Sequence, residues 1–278
     1  MKDNLNIVFF GTPDFAMPVL KALIDSEYKV SGVFAGHGPV ELEASKRNIK
    51  VFTPTSLKKD EQVFEEFKKL KPDLCVVAAY GKILPTLYLD VPKYGFINVH
   101  PSLLPKYRGP SPVQTAILNG DTETGASIMV VDKEVDHGPI LASVKYTVPD
   151  TKYHTEIATD IFKLGAELLI EILPKYISRE IESEPQDHSQ ATFTKMFTRE
   201  DGRINWDSPA QEIYNRIRAL NPEPGTWTTW NNKIINIKKT ELRDGKIHIQ
   251  TIQIEGKKEM SFEEFLRGQP SFDISQLK

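Results

Sequence analysis

The stretch Asn6-Ile7-Val8-Phe9-Phe10-Gly11-Thr12-Pro13 decides how the rest of the chain reads. Its apolar run is too short for a helix and stops at a glycine and a proline, the two strongest breakers of local structure. Apolar residues then recur at helical spacing across 15–24. A buried strand, a turn and an amphipathic helix make the opening of a βαβ unit. The pattern repeats downstream. Residues 29–35 read as a strand, 40–47 as a helix, 51–52 as a short strand, 62–70 as an amphipathic helix and 73–79 as a strand with no polar face. Alternating strands and helices imply crossover connections and an α/β fold with an open, mostly parallel sheet covered on both sides.

Apolar stretches at 95–99 and 126–131 extend this sheet, and 157–173 is predicted as a long amphipathic helix stopped by Pro174. From residue 178 the texture turns polar and aperiodic, as in a linker along the surface. A helix around 209–220 follows, then alternating runs at 226–230, 234–238 and 246–254, separated by Asn231-Asn232 and Asp244-Gly245. Period-2 alternation between such turns indicates a small antiparallel barrel or sheet. The expected organisation is an N-terminal domain over 1–177, a linker over 178–203 and a small C-terminal β domain over 204–278.

At 278 residues the chain is long enough for two domains, and 40% hydrophobic and 26% charged residues with a mean hydropathy of -0.35 describe an ordinary globular protein. The first twenty residues hold only a four-residue apolar run, too short for a signal peptide, and no segment approaches a membrane span; a cytoplasmic location is the expectation. Cys75, the single cysteine, sits in an apolar strand and is expected to be core filler. The net charge of -3 argues against coating nucleic acid by bulk electrostatics. The balance is uneven, however: 191–278 carries +2 and 1–190 carries -5, so nucleic-acid contacts are expected from the C-terminal part.

The turn Gly11-Thr12-Pro13 lacks the later glycines of a dinucleotide fingerprint, and Pro13 removes a backbone donor. It reads as a strand-to-helix turn lining a cleft. More informative is Asn98-Val99-His100-Pro101-Ser102-Leu103-Leu104-Pro105, at the C-terminal end of the strand at 95–99. Asn98 and His100 are two apart, so on a strand they face the same way. Alone, they are a turn-capping Asn beside a satisfied His. Asp136, two residues before Gly138 in a tight turn, adds a carboxylate. A hydrogen-bond donor, a base and an acid that orients the base are the parts needed for acyl transfer to an amine. The six histidines and one cysteine show no metal-ligand spacing, so no metal is expected.

The run N-V-H-P-S-L-L-P-K-Y-R-G-P-S-P, followed by D-x-G-P-I-L, resembles the signature of the 10-formyltetrahydrofolate-dependent formyltransferases. The opening F-F-G-T-P-D-F-A, the stretch I-R-A-L-N-P-E-P-G-T-W at 217–227 and E-G-K-K-E-M-S-F-E-E-F-L-R-G at 255–268 resemble the methionyl-tRNA formyltransferase family in particular. The resemblance implies a Rossmann-like formyltransferase sheet with an OB-like C-terminal barrel. It implies Asn98, His100 and Asp136 as the catalytic residues, with His100 as the base and Asp136 holding its tautomer. It places the folate site at Ser102, Leu103, Leu104 and Pro105, with Tyr80, Gly81 and Ile83 as its apolar wall. The co-substrate is then 10-formyltetrahydrofolate and the partner the initiator methionyl-tRNA, met by a monomer. Arg108 is left open between an anion contact and a solvated surface residue, and His137 is expected to point outward.

The family carries a basic loop between the second strand and its helix, where this chain has Ala35-Gly36-His37-Gly38-Pro39. The basic residues left to face tRNA are Lys195, Arg199, Arg203, Arg216, Arg218, Lys233, Lys238 and Lys239. Alternatives are an amino-sugar N-formyltransferase, a formyltetrahydrofolate hydrolase and a non-catalytic folate- or RNA-binding module.

Overall fold

The computed structural model describes residues 5–269 together with Phe272 and Leu277. Residues 1–4, from the stretch read for a signal peptide, and 270–271, 273–276 and 278 of the expected C-terminal domain, lie outside the described residues. The chain divides into two compact units interleaved along the sequence. One comprises Met1–Pro110, Glu123–Thr147 and Ala158–Phe193; the other comprises Ser111–Thr122, Val148–Ile157 and Thr194–Lys278.

In the first unit, β1 (Asn6–Gly11), α1 (Met17–Ile24), β2 (Lys29–Phe34), α2 (Pro39–Lys46), β3 (Lys50–Phe52), α3 (Glu61–Leu70), β4 (Leu74–Ala78), α4 (Thr86–Leu89) and β5 (Phe96–His100) follow one another. The short α5 (Pro112–Leu118) belongs to the second unit. The first unit resumes with β6 (Glu123–Val130) and β7 (Ile140–Thr147), and α6 (His154–Ile177) joins it from Ala158 onward. The seven strands lie in the order β3-β2-β1-β4-β5-β6-β7. Neighbours from β3 to β5 are parallel, while β5/β6 and β6/β7 are antiparallel.

Alternation along the central strands feeds two cores. Ile7 and Phe9 of β1, Leu74, Val76 and Ala78 of β4 and Ile97 and Val99 of β5 pack with α1 and with Phe162, Leu169 and Leu173 of α6. Val8 and Phe10, Cys75 and Val77, and Phe96 point to the other face, onto Phe67 of α3 and Tyr88 of α4. A strand buried on both faces needs apolar residues at every position, which is why these segments read as continuous runs. Burying each such large side chain contributes roughly 1.5–3 kcal/mol. Cys75 is fully buried among them.

Three details depart from the sequence reading. The helix expected over 15–24 opens with a 3-10 turn over Asp14–Ala16, and α1 itself starts at Met17 with Pro18 in its first turn. The helix α6 runs past Pro174 to Ile177. Proline forfeits the bond from its own nitrogen, but within the last turn only that one bond is lost, and Ser178 N–H still reaches the Pro174 carbonyl at 3.0 Å. Short α4 and α5 and the half-exposed strand β7 carried too weak a pattern to be expected.

In the second unit, α7 (Ala210–Leu220) packs against an antiparallel sheet of β8 (Thr226–Trp230), β9 (Lys233–Arg243), β10 (Lys246–Ile254) and β11 (Met260–Ser261), followed by α8 (Phe262–Gly268). Trp230, Ile235, Ile237, Ile252 and Ile254 meet Ile213 and Ile217 of α7 and Phe265 of α8. The expected barrel-or-sheet is thus an antiparallel sheet. Asn231-Asn232 and Asp244-Gly245 all take positive φ, as a two-residue primed turn requires, and this fixes the hairpin register. Among the described residues no helix is long and apolar enough to cross a membrane.

Candidate active site

Because Ile97 and Val99 fill one core, the intervening Asn98 and His100 project from the opposite face of β5. His100 is only 4% exposed. Its Nε2 lies 3.0 Å from the Tyr107 carbonyl oxygen. A carbonyl can only accept, so Nε2 carries a hydrogen and Nδ1 is the nitrogen free to exchange a proton.

Asp136 arrives by an indirect path. Antiparallel pairing sets Val130 of β6 beside Ile97 and Ser127 beside His100, so the loop after β6 leaves from the end of the sheet away from His100. It folds back, and Asp136 Oδ1 comes within 3.4 Å of Asn98 Nδ2 and 3.6 Å of His100 Nδ1. Asp136 Oδ2 accepts the Gly109 N–H at 2.7 Å. Asp136 itself has φ 49°, a left-handed conformation that aspartate tolerates better than most residues. Two residues on, Gly138 lies so close to the Val130 carbonyl that an added Cβ would sit 2.0 Å from its oxygen. Tyr107, with φ 61°, is a second left-handed residue in the site, and such conformations cost about 1–3 kcal/mol each. The three side chains expected to meet do meet. The Tyr107 carbonyl, rather than Asp136, holds the His100 tautomer.

The polar stretch after α6 supplies what the sequence did not suggest. Glu184 and Ile140 exchange two backbone hydrogen bonds of 2.8 Å, and the Arg108 N–H donates to the Thr192 carbonyl at 2.8 Å. Between these anchors Gln186 turns inward and is 6% exposed. Its Oε1 accepts from Arg108 Nε and Nη2 at 3.1 and 2.7 Å, and its Nε2 donates to the Asp136 and Gly138 carbonyls at 2.9 and 2.7 Å. Arg108 is therefore neither solvated nor extended toward a ligand: it is 3% exposed, with Nη2 also 2.9 Å from His188 Nδ1. Nor does His137 point freely outward. Its ring stacks on His188 at 4.1 Å, and its Nδ1 lies 2.6 Å from Asp132 Oδ2. Gln186 sits in a segment without periodicity, so no local signal could have singled it out.

The residues expected to bind folate divide by exposure. Ser102 and Leu104 are buried in the loop: Ser102 Oγ donates to the Lys106 carbonyl at 2.6 Å, and Ser127 Oγ donates to the Ser102 carbonyl at 2.8 Å. The Leu104 N–H donates back to Ser127 Oγ at 3.1 Å. Leu103 and Pro105 are half-buried. Tyr80 packs edge-on to Phe10 in the core, and burial pushes its phenol up so that it stays protonated. Gly81 is exposed with φ 74°, and Ile83 is 83% exposed. Among the described residues no group of three or more His, Cys, Asp or Glu could hold a metal ion.

In the second unit the expected basic face is thinner than its charge suggests. Arg218 is 3% exposed and donates to the Pro149 and Lys152 carbonyls at 2.9 and 3.0 Å. Lys195 is paired with Asp201, and Arg216 donates to the Asp201 carbonyl. Arg199 and Arg203 lie over the Trp227 ring at 5.9 and 5.5 Å. Lys233 and Lys239 are exposed, and Lys238 is half-buried.

Residues 5–173 match the model of the formyl transferase family, and 196–248 match that of the formyl transferase C-terminal domain. A methionyl-tRNA formyltransferase from Chloroflexus aurantiacus is 43% identical over 250 residues, covering 86% of this chain and 80% of that protein. One from Roseiflexus castenholzii is 39% identical over 302 residues, covering 95% and 96%. The solved methionyl-tRNA formyltransferase from Clostridium thermocellum shares the fold at a TM-score of 0.66 and 21% identity, covering 90% of this chain and 98% of that one. With both family domains matched in order and relatives of this identity aligned over most of their length, the chain belongs to the methionyl-tRNA formyltransferase family.

Proposed function

We propose that the chain transfers the formyl group of 10-formyltetrahydrofolate to the α-amine of methionyl-tRNA, at the group formed by Asn98, His100 and Asp136. The observation that carries the reading is the approach of Asp136 to both Asn98 and His100, at 3.4 and 3.6 Å, in a chain of this family. The uncharged amine attacks the formyl carbon, forming the new C–N bond and an oxyanion. Asn98 Nδ2 donates a hydrogen bond to that oxygen. His100, with Nε2–H committed to Tyr107, takes the amine proton on Nδ1 and returns it to N10 as the C–N10 bond breaks. The products are formyl-methionyl-tRNA and tetrahydrofolate, and no proton is gained or lost. Asp136 provides the opposite charge beside the transient imidazolium.

On this reading residues 1–177 carry catalysis, 178–203 connect while their residues 184–192 fold onto the catalytic loops, and 204–278 meet the initiator tRNA, in a monomer working in the cytoplasm. Ser102 to Pro105, Tyr80, Gly81 and Ile83 form the folate side, with the exposed Gly81 and Ile83 as its open rim. One observation favours a smaller acceptor such as a nucleotide-linked amino sugar: the β2–α2 connection has no Lys or Arg. Purified protein with 10-formyltetrahydrofolate and charged initiator tRNA is expected to form formyl-methionyl-tRNA, and His100→Ala to abolish it. Turnover of an amino-sugar nucleotide in place of the tRNA would refute the acceptor, and folate binding without turnover of any acceptor would refute the enzyme.

A further inference from the structure

We propose that Gln186 is a positioning residue for formyl transfer, acting through Asp136 and His100. The proposal rests on the reading of those two as reacting groups. Two loops hold the site. One, 107–109, presents the Tyr107 carbonyl to His100 Nε2 and the Gly109 N–H to Asp136 Oδ2. The other, 136–138, carries Asp136. Neither loop is part of a strand or helix, and each contains a left-handed residue other than glycine, Tyr107 in one and Asp136 in the other. Such backbone persists only when its surroundings over-determine it.

Beside the Gly109 N–H bond to Asp136 Oδ2, Gln186 ties the loops together. Its oxygen accepts two hydrogens from Arg108, the residue between Tyr107 and Gly109, and its amide donates both hydrogens to the carbonyls of Asp136 and Gly138. All four bonds lie at 2.7–3.1 Å, and a carboxamide is the one neutral side-chain group that can accept at one end and donate twice at the other. Its segment is fixed in turn at both ends, by the Glu184–Ile140 pair and by Thr192, whose Oγ1 accepts the Tyr107 N–H at 2.8 Å. Loosening Gln186 leaves Asn98, His100 and their strand in place. It frees the carboxylate and the carbonyl that set the orientation of the imidazole. A shift of about 1 Å in reacting groups is enough to lower a rate by about 10²-fold.

The test compares kcat and both KM values for wild type, Gln186→Ala, Gln186→Glu, Asp136→Asn and the double variant Asp136→Asn/Gln186→Glu, with circular dichroism and melting temperature as checks of folding. Gln186→Glu keeps the shape and the acceptor for Arg108, removes the two donated bonds and turns a carboxylate oxygen toward the Asp136 and Gly138 carbonyls. Both Gln186 variants are expected to lose kcat by about 10²-fold with KM values within about threefold. In the Asp136→Asn background the loss from Gln186→Glu is expected to shrink below about threefold, because the residue through which it acts is already disabled. A folded Gln186→Glu enzyme with wild-type kcat overturns the proposal, as do losses that multiply in the double variant. Wild-type turnover by His100→Asn would instead overturn the site reading, and this proposal with it; loss of turnover at His100 beside intact Gln186 variants overturns the positioning role alone.

Discussion

Replacing Asp136 by Asn removes one charge and little else. The side chain keeps its size, and an amide oxygen can still accept the Gly109 N–H now held at 2.7 Å. What disappears is the negative charge 3.6 Å from His100 Nδ1, between side chains only 14% and 5% exposed. Two unit charges at that separation, in the effective dielectric of about 20 that suits partly buried sites, attract by about 4 to 5 kcal/mol. In the proposed mechanism His100 carries the amine proton in transit, and there this attraction acts on the transition state rather than on substrate binding. Allowing the amide dipole to recover part of it, about 3–4 kcal/mol remains, or a drop in kcat of roughly 10²–10³-fold. Steady-state formylation of charged tRNA, with the product resolved from unformylated aminoacyl-tRNA, measures kcat and KM together. A folded Asp136→Asn enzyme with kcat within fivefold of wild type, or a loss confined to KM, would refute the assignment of Asp136 to the imidazolium.

Two further outcomes follow from groups already described. In Gly138→Ala the added methyl meets the Val130 carbonyl oxygen, so the loop must move and carry Asp136 with it; kcat should fall by about 10²-fold while the folate KM stays near wild type, and an unchanged kcat would show that the loop relaxes without disturbing the carboxylate. His154 is buried with its Nδ1 unpartnered, and loss of solvation lowers its pKa from 6.5 to about 4. The unfolded chain therefore binds a proton below about pH 6.5 that the folded chain refuses, so this stability is complete above 6.5 and is lost as pH falls toward 4, up to about 3 kcal/mol. Urea midpoints compared at pH 7.5 and 5 for wild type and His154→Gln measure it, and an equal pH slope in both proteins would exclude His154 as the source.

How much was legible in the sequence differs by element. The doubly buried strands β1 and β4 announced themselves because residues 7–10 and 74–78 are all apolar, and the two hairpin turns because Asn-Asn and Asp-Gly accept positive φ. Asn98 and His100 were readable from strand alternation. Asp136 was readable as a turn carboxylate two residues before Gly138, but its path was not, since that depends on β6 running antiparallel to β5, which no local pattern encodes. Arg108, His137 and Arg218 were misjudged for one reason: a charged or polar residue in a loop is ordinarily solvated, and here partners from distant segments desolvate it.

The clamp through Gln186 joins positions 78 apart in sequence, across the last antiparallel strands and the longest helix. During synthesis the sheet can therefore assemble well before its chemistry does. A nascent chain that has not yet released residues 184–192 lacks the Gln186 bonds to Arg108, Asp136 and Gly138. On the positioning role proposed for Gln186, catalytic competence is then a late event that waits for a segment with little secondary structure of its own.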